Sequence, residues 1–195
     1  MKKIAFLSVF LVVMGLAIGA QAYTFTTYSS YGAWLLAAPG PYGNENFQAA
    51  TIQIPGLSIT EVGGAGVIQN GVYENVVDKD VPRYQVFNYA PKMNAFGVFI
   101  DLVNPGGAGT GINMYIDDDN TLVYNIPNTA AGEFYGFVAD GKFSGVRLED
   151  AAGAGIQETY MIIDLNLAPV TVPEPASMLL LGLGLLGVGI VSRKK

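Results

Sequence analysis

The feature that most constrains this chain is a charge-free apolar run from Ala176 to Val191, which is followed by Arg193, Lys194 and Lys195. As a helix the run would be roughly 24 Å long, which is shorter than the ~30 Å hydrocarbon core of a bilayer. Its four glycines lower helix propensity further. The basic end has no place in a protein core, and it favours the cytoplasmic side of a membrane. We therefore expect a helix that enters the membrane transiently; an anchor that is never cut is the alternative.

Directly before this run stand Pro173, Glu174 and Pro175. The two prolines fix backbone angles and push the preceding residues toward extended geometry, which suits a protease groove. A Pro-Glu-Pro triplet, an apolar helix and a basic tail, in this order, resemble the PEP-CTERM sorting signal. The resemblance implies that residues 172–195 are processed by an exosortase-like membrane protease, with the three triplet residues as the sorting motif.

The first 22 residues have the pattern of a signal peptide. Lys2 and Lys3 precede an apolar stretch from Ile4 to Ala20, and Ala20 and Ala22 are small residues at the positions that signal peptidase reads. We expect cleavage after Ala22, with an uncleaved anchor as the alternative. The sequence thus predicts export across the inner membrane to the cell surface or the extracellular space.

Residues 23–171 are 149 in number, a length that suits one domain with a sizeable core. The chain has no cysteine, which excludes disulfides, thiol catalysis and zinc-thiolate sites. This segment holds five Lys and Arg against fifteen Asp and Glu, so its net charge is near −10. Such a surface repels nucleic acid phosphates. Nucleic acid binding is therefore excluded.

The pattern of the domain changes from one short helix to strands. Ser30 caps an apolar cluster, Tyr31 to Ala38, which predicts a helix of about two turns with Trp34 in the core. Short alternating segments separated by Gly, Asn and Asp turns then predict an all-β, antiparallel β-sandwich. The predicted strands are 50–54, 57–62, 95–102, 112–116, 121–126, 134–138, 145–148 and 160–167, with turns that include residues 117–120 and Asp140-Gly141.

Several of these strands are similar to those of PEP-CTERM extracellular domains, among them 91–101, 114–119, 133–140 and 161–167. The resemblance implies a jelly-roll-like fold, similar to that of carbohydrate-binding modules. In such modules one structural calcium ion often joins an early acid to an Asp of the last strand, which implies Glu45 and Asp164 as metal ligands here. The chain departs from many relatives at Gln48, where they have a glutamate. Residues 117–119 are the other acidic cluster, and a solvated hairpin tip is the simpler interpretation.

We expect no catalytic residue and no enzymatic activity. The chain has no histidine, so serine–histidine and histidine–zinc chemistry are absent. A paired-carboxylate glycosidase needs only two acids at about 5–9.5 Å, but the sequence does not place candidates such as Asp101 and Glu133 opposite each other. Sugar binding would need exposed aromatics, and the sequence does not choose among its candidates: Trp34, Tyr28, Tyr31, Tyr42, Tyr73, Tyr84, Tyr89 and Tyr135.

Three functions therefore stand in order. The first, which the resemblance implies, is a non-catalytic protein of the cell surface or the extracellular matrix that is associated with exopolysaccharide. The second is a carbohydrate-binding module, with or without structural calcium, which predicts a row of exposed aromatics on one sheet face. The third is a glycan-active enzyme, which predicts two acids facing each other in a cleft.

Overall fold

The computed structural model describes residues 23–78, 82–103, 111–117, 120–151 and 158–169. The predicted signal peptide (1–22) and sorting signal (172–195), with its apolar helix, lie outside these residues, as does the middle of the predicted 117–120 turn. Within the described ranges no helix combines the length and the apolarity that a membrane crossing requires.

The described chain forms one short helix and ten strands, all paired antiparallel. In order they are β1 (Phe25–Tyr28), α1 (Tyr31–Ala37), β2 (Gly43–Glu45), β3 (Leu57–Val62), β4 (Val67–Gln69), β5 (Val72–Val77), β6 (Tyr84–Asp101), β7 (Ile112–Ile116), β8 (Thr121–Ile126), β9 (Ala131–Asp150) and β10 (Glu158–Pro169). The prediction of an all-β, antiparallel, jelly-roll-like fold with a short N-terminal helix is confirmed.

The strands form one sheet that curls into two layers, because β6 and β9 are long enough to take part in both. The first layer, which we call the hairpin sheet, has the order β3, β6, β9, β7, β8 and uses the start of β6 and the end of β9. The second, the helix-covered sheet, has the order β4, β5, β10, β6, β9, β1, with β2 also on β10. Together they make the sandwich.

The bend between the layers lies where β6 and β9 lose their common register. Met93 pairs with Phe143, but residues 89–92 of β6 and 139–142 of β9 have no partner on each other. Pro91, which cannot donate to a ladder, falls in this unpaired stretch. The predicted turn at Asp140-Gly141 is wrong: the Asp140 amide donates to the Thr24 carbonyl at 2.9 Å, so β9 continues and pairs with β1.

The main core fills the space between the two sheets with apolar side chains from both. Aromatic rings run through its centre: Phe87 contacts Phe96, Phe96 contacts Phe137, and Phe137 stacks on Phe143, with ring centroids 6.0, 6.3 and 5.1 Å apart. Ring pairs at these distances add about 0.5–1.5 kcal/mol each beyond the area that they bury. The fold therefore holds together without a disulfide.

A second cluster lies on the outer side of the helix-covered sheet, beneath α1. The Ser30 side chain caps the helix by accepting from the Ala33 amide at 3.5 Å. Trp34 is fully buried, and its indole Nε1 donates to the Phe137 carbonyl at 3.1 Å. This confirms Trp34 as a core residue, so it is not available to stack on a sugar.

Two differences from the predicted strands have local causes. Residues 50–54 are not a strand, because the Glu45 carboxylate accepts the Gln53 and Ile54 amides that a ladder would have used. Strand β5 and the start of β6 were not predicted, because they bury the polar side chains of Asn75 and Gln85 where an alternating pattern calls for apolar ones.

Candidate functional site

The predicted sorting residues Pro173, Glu174 and Pro175 and the predicted cleavage residues Ala20 and Ala22 lie outside the described part of the chain. They stay predictions from the sequence. Any site with a describable geometry therefore belongs to the β-sandwich.

Glu45, the first predicted metal ligand, is 1% exposed and ends β2. One carboxylate oxygen accepts from the Phe47 amide at 3.1 Å, and the other accepts from Ile54 at 3.2 Å and from Gln53. Three backbone donors thus surround this carboxylate. Such an arrangement clamps the loop between β2 and β3 onto the sheet.

Asp164, the second predicted ligand, lies in β10 on the other side of the sheet. Glu45 pairs with Leu165, whose side chain is in the main core, so the neighbouring Asp164 projects to the outer face beside Phe99. Partial burial raises the pKa of the Asp164 carboxyl, and a hydrogen bond from Asn44 offsets part of that rise. This register does not favour one ion held by both side chains. Among the described residues no group of three or more acidic side chains is arranged to hold a metal. Calcium binding stays a prediction.

The acids named as glycosidase candidates have local backbone partners. Asp101 accepts from the Val103 amide at 2.9 Å, and Glu133 accepts from the Ala131 amide. Each carboxylate thus stabilises the end of its own strand.

The tyrosines named as sugar-binding candidates do not form one exposed row. Tyr73 is buried, Tyr42 is 43% exposed, and the other five are partly buried. The hydroxyl of Tyr42 donates to the Leu35 and Ala38 carbonyls, so this ring is fixed against α1. Exposure alone therefore does not select a binding surface.

A polar cluster inside the sandwich accounts for several unexpected buried residues. Tyr73 and Asn75 both donate to the Glu61 carboxylate, and Tyr160 donates to the Gln85 side-chain oxygen at 2.6 Å. Burial raises the pKa of Tyr73 and of Tyr160 well above the ordinary value, and Glu61 raises both further. Both hydroxyls therefore remain protonated donors that join the two sheets.

The most developed polar surface is the outer side of the hairpin sheet, which α1 does not cover. Its strand register sets side chains in rows across the strands. One row runs from Tyr84 through Glu149 and Asn113 to Asn125, and the next holds Arg147 beside Tyr115. We call this surface the Arg147 face, and it consists of Tyr84, Asn113, Tyr115, Asn125, Arg147 and Glu149.

Arg147 is the centre of this face. Its guanidinium carbon lies 5.5 Å from the Tyr84 ring centroid and 4.8 Å from that of Tyr115, within cation–π range. It also contacts the Glu149 carboxylate at 3.1 Å and the Asp117 carboxylate at 3.3 Å. The Arg147 side chain is 16% exposed, so these contacts are partly shielded from water and fix the guanidinium in place.

The neighbouring amides continue this network across the strands. The Asn125 side chain donates to the Asn113 oxygen at 2.8 Å, and Asn113 donates to the Tyr115 hydroxyl at 3.1 Å. Desolvation raises the pKa of Tyr115, and so does Glu149, which accepts its hydrogen bond. Tyr115 is therefore a neutral donor at physiological pH. The face offers ring surfaces together with hydrogen-bond donors and acceptors.

Sequence reasoning named only Tyr84 from this face. Arg147, Glu149 and Asn113 are ordinary polar residues of alternating strands, and only the pairing of β6, β9 and β7 brings them together. The alternation of polar and apolar residues in 112–116 did indicate which side chains point outward. The order of the strands, which the sequence did not supply, decides which of them are neighbours.

Among solved structures, the chain is similar to small carbohydrate-binding domains. A point mutant of a family 29 carbohydrate-binding module shares 13% identity and a TM-score of 0.48 over 66% of this chain and 92% of its own. A low-affinity xylan-binding module from Roseburia intestinalis shares 10% identity and a TM-score of 0.45 over 66% and 95%. A family 29 module from Piromyces equi shares 10% identity and a TM-score of 0.42 over 77% and 95%. Similarities at this level do not establish a shared function.

Comparison of the sequence with known families adds a specific result for the end of the chain. No curated protein sequence matches this chain. Residues 171–195, however, match the PEP-CTERM protein-sorting motif. This segment contains the Pro-Glu-Pro triplet, the apolar run and the basic tail, and the motif implies export and membrane-anchored sorting. The chain is thus a protein that carries the PEP-CTERM sorting signal, as its sequence predicted.

Proposed function

We propose that this chain is a non-catalytic protein of the cell surface or the extracellular matrix, sorted by an exosortase-type membrane protease. The observation that carries the proposal is the PEP-CTERM motif at residues 171–195. The signal-peptide pattern of residues 1–22 supports it, because export to that compartment requires an entry signal. The β-sandwich between the two segments is then the part of the protein that acts outside the cell.

Association with exopolysaccharide is the finer part of this proposal, and cell fractionation tests it. The protein is followed by immunoblot through the cytoplasmic, membrane, surface and extracellular polysaccharide fractions of a host with an exosortase and of the same host without it. We expect the protein in the polysaccharide fraction only when the exosortase is present. Recovery from the cytoplasm in both hosts would contradict export, and recovery in the medium free of polysaccharide would contradict matrix association.

The absence of catalysis is supported by what the candidate acids do. Glu45, Asp101 and Glu133 each accept hydrogen bonds from backbone amides, so each has a structural role in the fold. We therefore expect no release of reducing ends when the protein is incubated with polysaccharides. Steady release that Glu133→Gln abolishes would support the glycosidase alternative instead.

A carbohydrate-binding module is the second candidate function, and one specific observation favours it. Tyr84 and Tyr115 stand on the same outer sheet face, on either side of Arg147 and beside two asparagines. Aromatic rings with adjacent amides are the groups that a sugar-binding surface uses. In this function the sorted protein would attach itself to the matrix by direct contact with glycan.

A further inference from the structure

The Arg147 face is a solvent-open sheet surface with an ordered set of polar and aromatic groups. The other outer surface of the sandwich is occupied, because α1 packs Trp34 and Ala38 onto the helix-covered sheet. On the second candidate function given above, we propose that the Arg147 face is the docking site for a neutral polysaccharide chain.

The size of the face fits a short stretch of such a chain. Its side chains come from four neighbouring strands, β6, β9, β7 and β8. Strands are spaced about 4.8 Å apart, so the face is roughly 15 Å wide across them. A polysaccharide laid across the strands would contact several side chains in one row, from Tyr84 to Asn125. The exposed Leu122, which pairs with Tyr115, extends the apolar area at the β8 edge.

The chemistry of the face matches both parts of a sugar. A pyranose ring presents apolar C–H surfaces and a rim of hydroxyl groups, and each hydroxyl both donates and accepts. The rings of Tyr84 and Tyr115 supply apolar surface. The side chains of Asn113 and Asn125 supply donors and acceptors, and Glu149 supplies an acceptor for hydroxyls.

The face is also fixed before any ligand arrives. Arg147 holds Tyr84 and Tyr115 in position from between them, and it is itself held by Glu149 and Asp117. The Asn88 side chain donates to the Thr60 hydroxyl at 2.9 Å and orders the neighbouring β3–β6 edge. Binding to groups that are already ordered loses less side-chain entropy. This order favours recognition of a weakly interacting polymer.

Charge selects a neutral ligand over a charged one. The positive charge of Arg147 is compensated by the carboxylates of Glu149 and Asp117. The surrounding domain, residues 23–171, carries a net charge near −10. An anionic polymer would be repelled. A cationic polymer would have to compete with Arg147 for the same two carboxylates.

Affinity electrophoresis in native gels tests the proposal with the protein purified as an exosortase-containing host processes it. The gels contain β-glucan, mannan or xylan as neutral polysaccharides, and alginate as the anionic one. The variants are Tyr115→Ala and Asn125→Ala on the face, and Tyr42→Ala as an exposed tyrosine on the helix side of the molecule. Thermal unfolding of each variant shows that it is folded. We expect retardation by at least one neutral polysaccharide, a loss of about tenfold or more in affinity for Tyr115→Ala, a smaller loss for Asn125→Ala, and no change for Tyr42→Ala.

Three outcomes would overturn the site. If folded Tyr115→Ala and Asn125→Ala bind as the unmodified protein does, glycan binding stands but occurs elsewhere. If no neutral polysaccharide retards the unmodified protein, the carbohydrate-binding function itself fails. If light scattering shows a dimer that Tyr115→Ala dissociates, the face is covered by a second copy of this chain. The first of these outcomes separates failure of the site from failure of the function.

Discussion

Glu45 shows how one side chain replaces part of a β-ladder. Its buried carboxylate accepts backbone hydrogen bonds from Phe47, Gln53 and Ile54, and this keeps the 50–54 segment out of the sheet while Ile52 and Ile54 still pack on the core. The sequence suggested this residue as a metal ligand, because an acid near the start of a jelly-roll domain has that role in similar folds. The structure gives it backbone donors instead.

We expect Glu45→Gln to lower the free energy of unfolding by about 1–3 kcal/mol, because buried amides would lose a charged acceptor. Chemical denaturation measures the change. Glu133→Gln is the matched control, since Glu133 also accepts a backbone amide but is exposed; we expect a change within about 0.5 kcal/mol. A rise in Tm with added calcium that Glu45→Gln removes would contradict the clamp and support the calcium prediction.

Asp164 gives a prediction with a definite sign. Its pKa is raised by partial burial, so the folded protein favours the protonated form. The stability that it contributes is present at low pH and is lost as the pH rises through its folded pKa. We expect Asp164→Asn to have a higher Tm than the unmodified protein at neutral pH, and the difference to shrink as the pH falls toward about 3.

Asp140→Asn is the opposite-sign control. The hydrogen bond from the Thr24 hydroxyl is the main cause that lowers the pKa of Asp140, so this carboxylate stabilises the fold above its unfolded pKa and loses that effect as the pH falls. We expect its substitution to lower Tm at neutral pH. Equal pH profiles for the two variants would show that neither carboxyl is perturbed as described.

At the scale of elements, α1 depends on two paired glycines in the sheet below it. Gly97 pairs with Gly136, and the Phe134 ring lies over both. A Cβ atom on Gly136 would lie 2.6 Å from the Phe134 ring and 2.9 Å from the Trp34 ring. Small residues at this point are what allow the buried tryptophan of α1 to approach the sheet.

Gly136→Ala should therefore destabilise the protein by about 1–3 kcal/mol, the usual cost of overpacking a rigid site. Gly32→Ala is the contrasting control within α1, where the nearest atom to an added Cβ is 4.0 Å away. There we expect a gain of up to about 1 kcal/mol from helix propensity. Thermal unfolding of both variants measures the difference, and equal effects would show that Gly136 is not a close contact.

Elements with a clean alternating pattern could be predicted from the sequence, and those with buried polar groups could not. The β7–β8 hairpin and the last strand follow from apolar alternation and turn residues, and α1 follows from its serine cap and proline stop. Strand β5 was missed because it buries Asn75 for the contact with Glu61. The continuous β9 was missed because Asp140 and Gly141 have the composition of a turn although they pair with β1 and the N-terminal segment.

The candidate site could not be predicted because it depends on the order of the strands. Arg147 lies between Tyr84 and Tyr115 only because β9 is placed between β6 and β7. Residues from these three strands are more than 25 positions apart in the sequence. The sequence did indicate the outward direction of each side chain, but not which strands are adjacent.

At the scale of the whole molecule, the account joins a β-sandwich to a sorting signal. The sandwich has a covered outer surface under α1 and an open one at the Arg147 face. The motif at residues 171–195 implies that this sandwich is presented outside the inner membrane. Sorting is the central claim, because the proposed contact with matrix polysaccharide is possible only if the domain reaches that compartment.

Intact mass spectrometry of the protein from an exosortase-containing host tests this claim most directly. The unmodified chain is compared with a variant in which Pro173, Glu174 and Pro175 are all replaced by alanine. We expect the unmodified protein to be released with a mass that lacks both terminal segments, and the variant to remain in the membrane with its tail attached. A full-length tail on both proteins would contradict sorting by this signal.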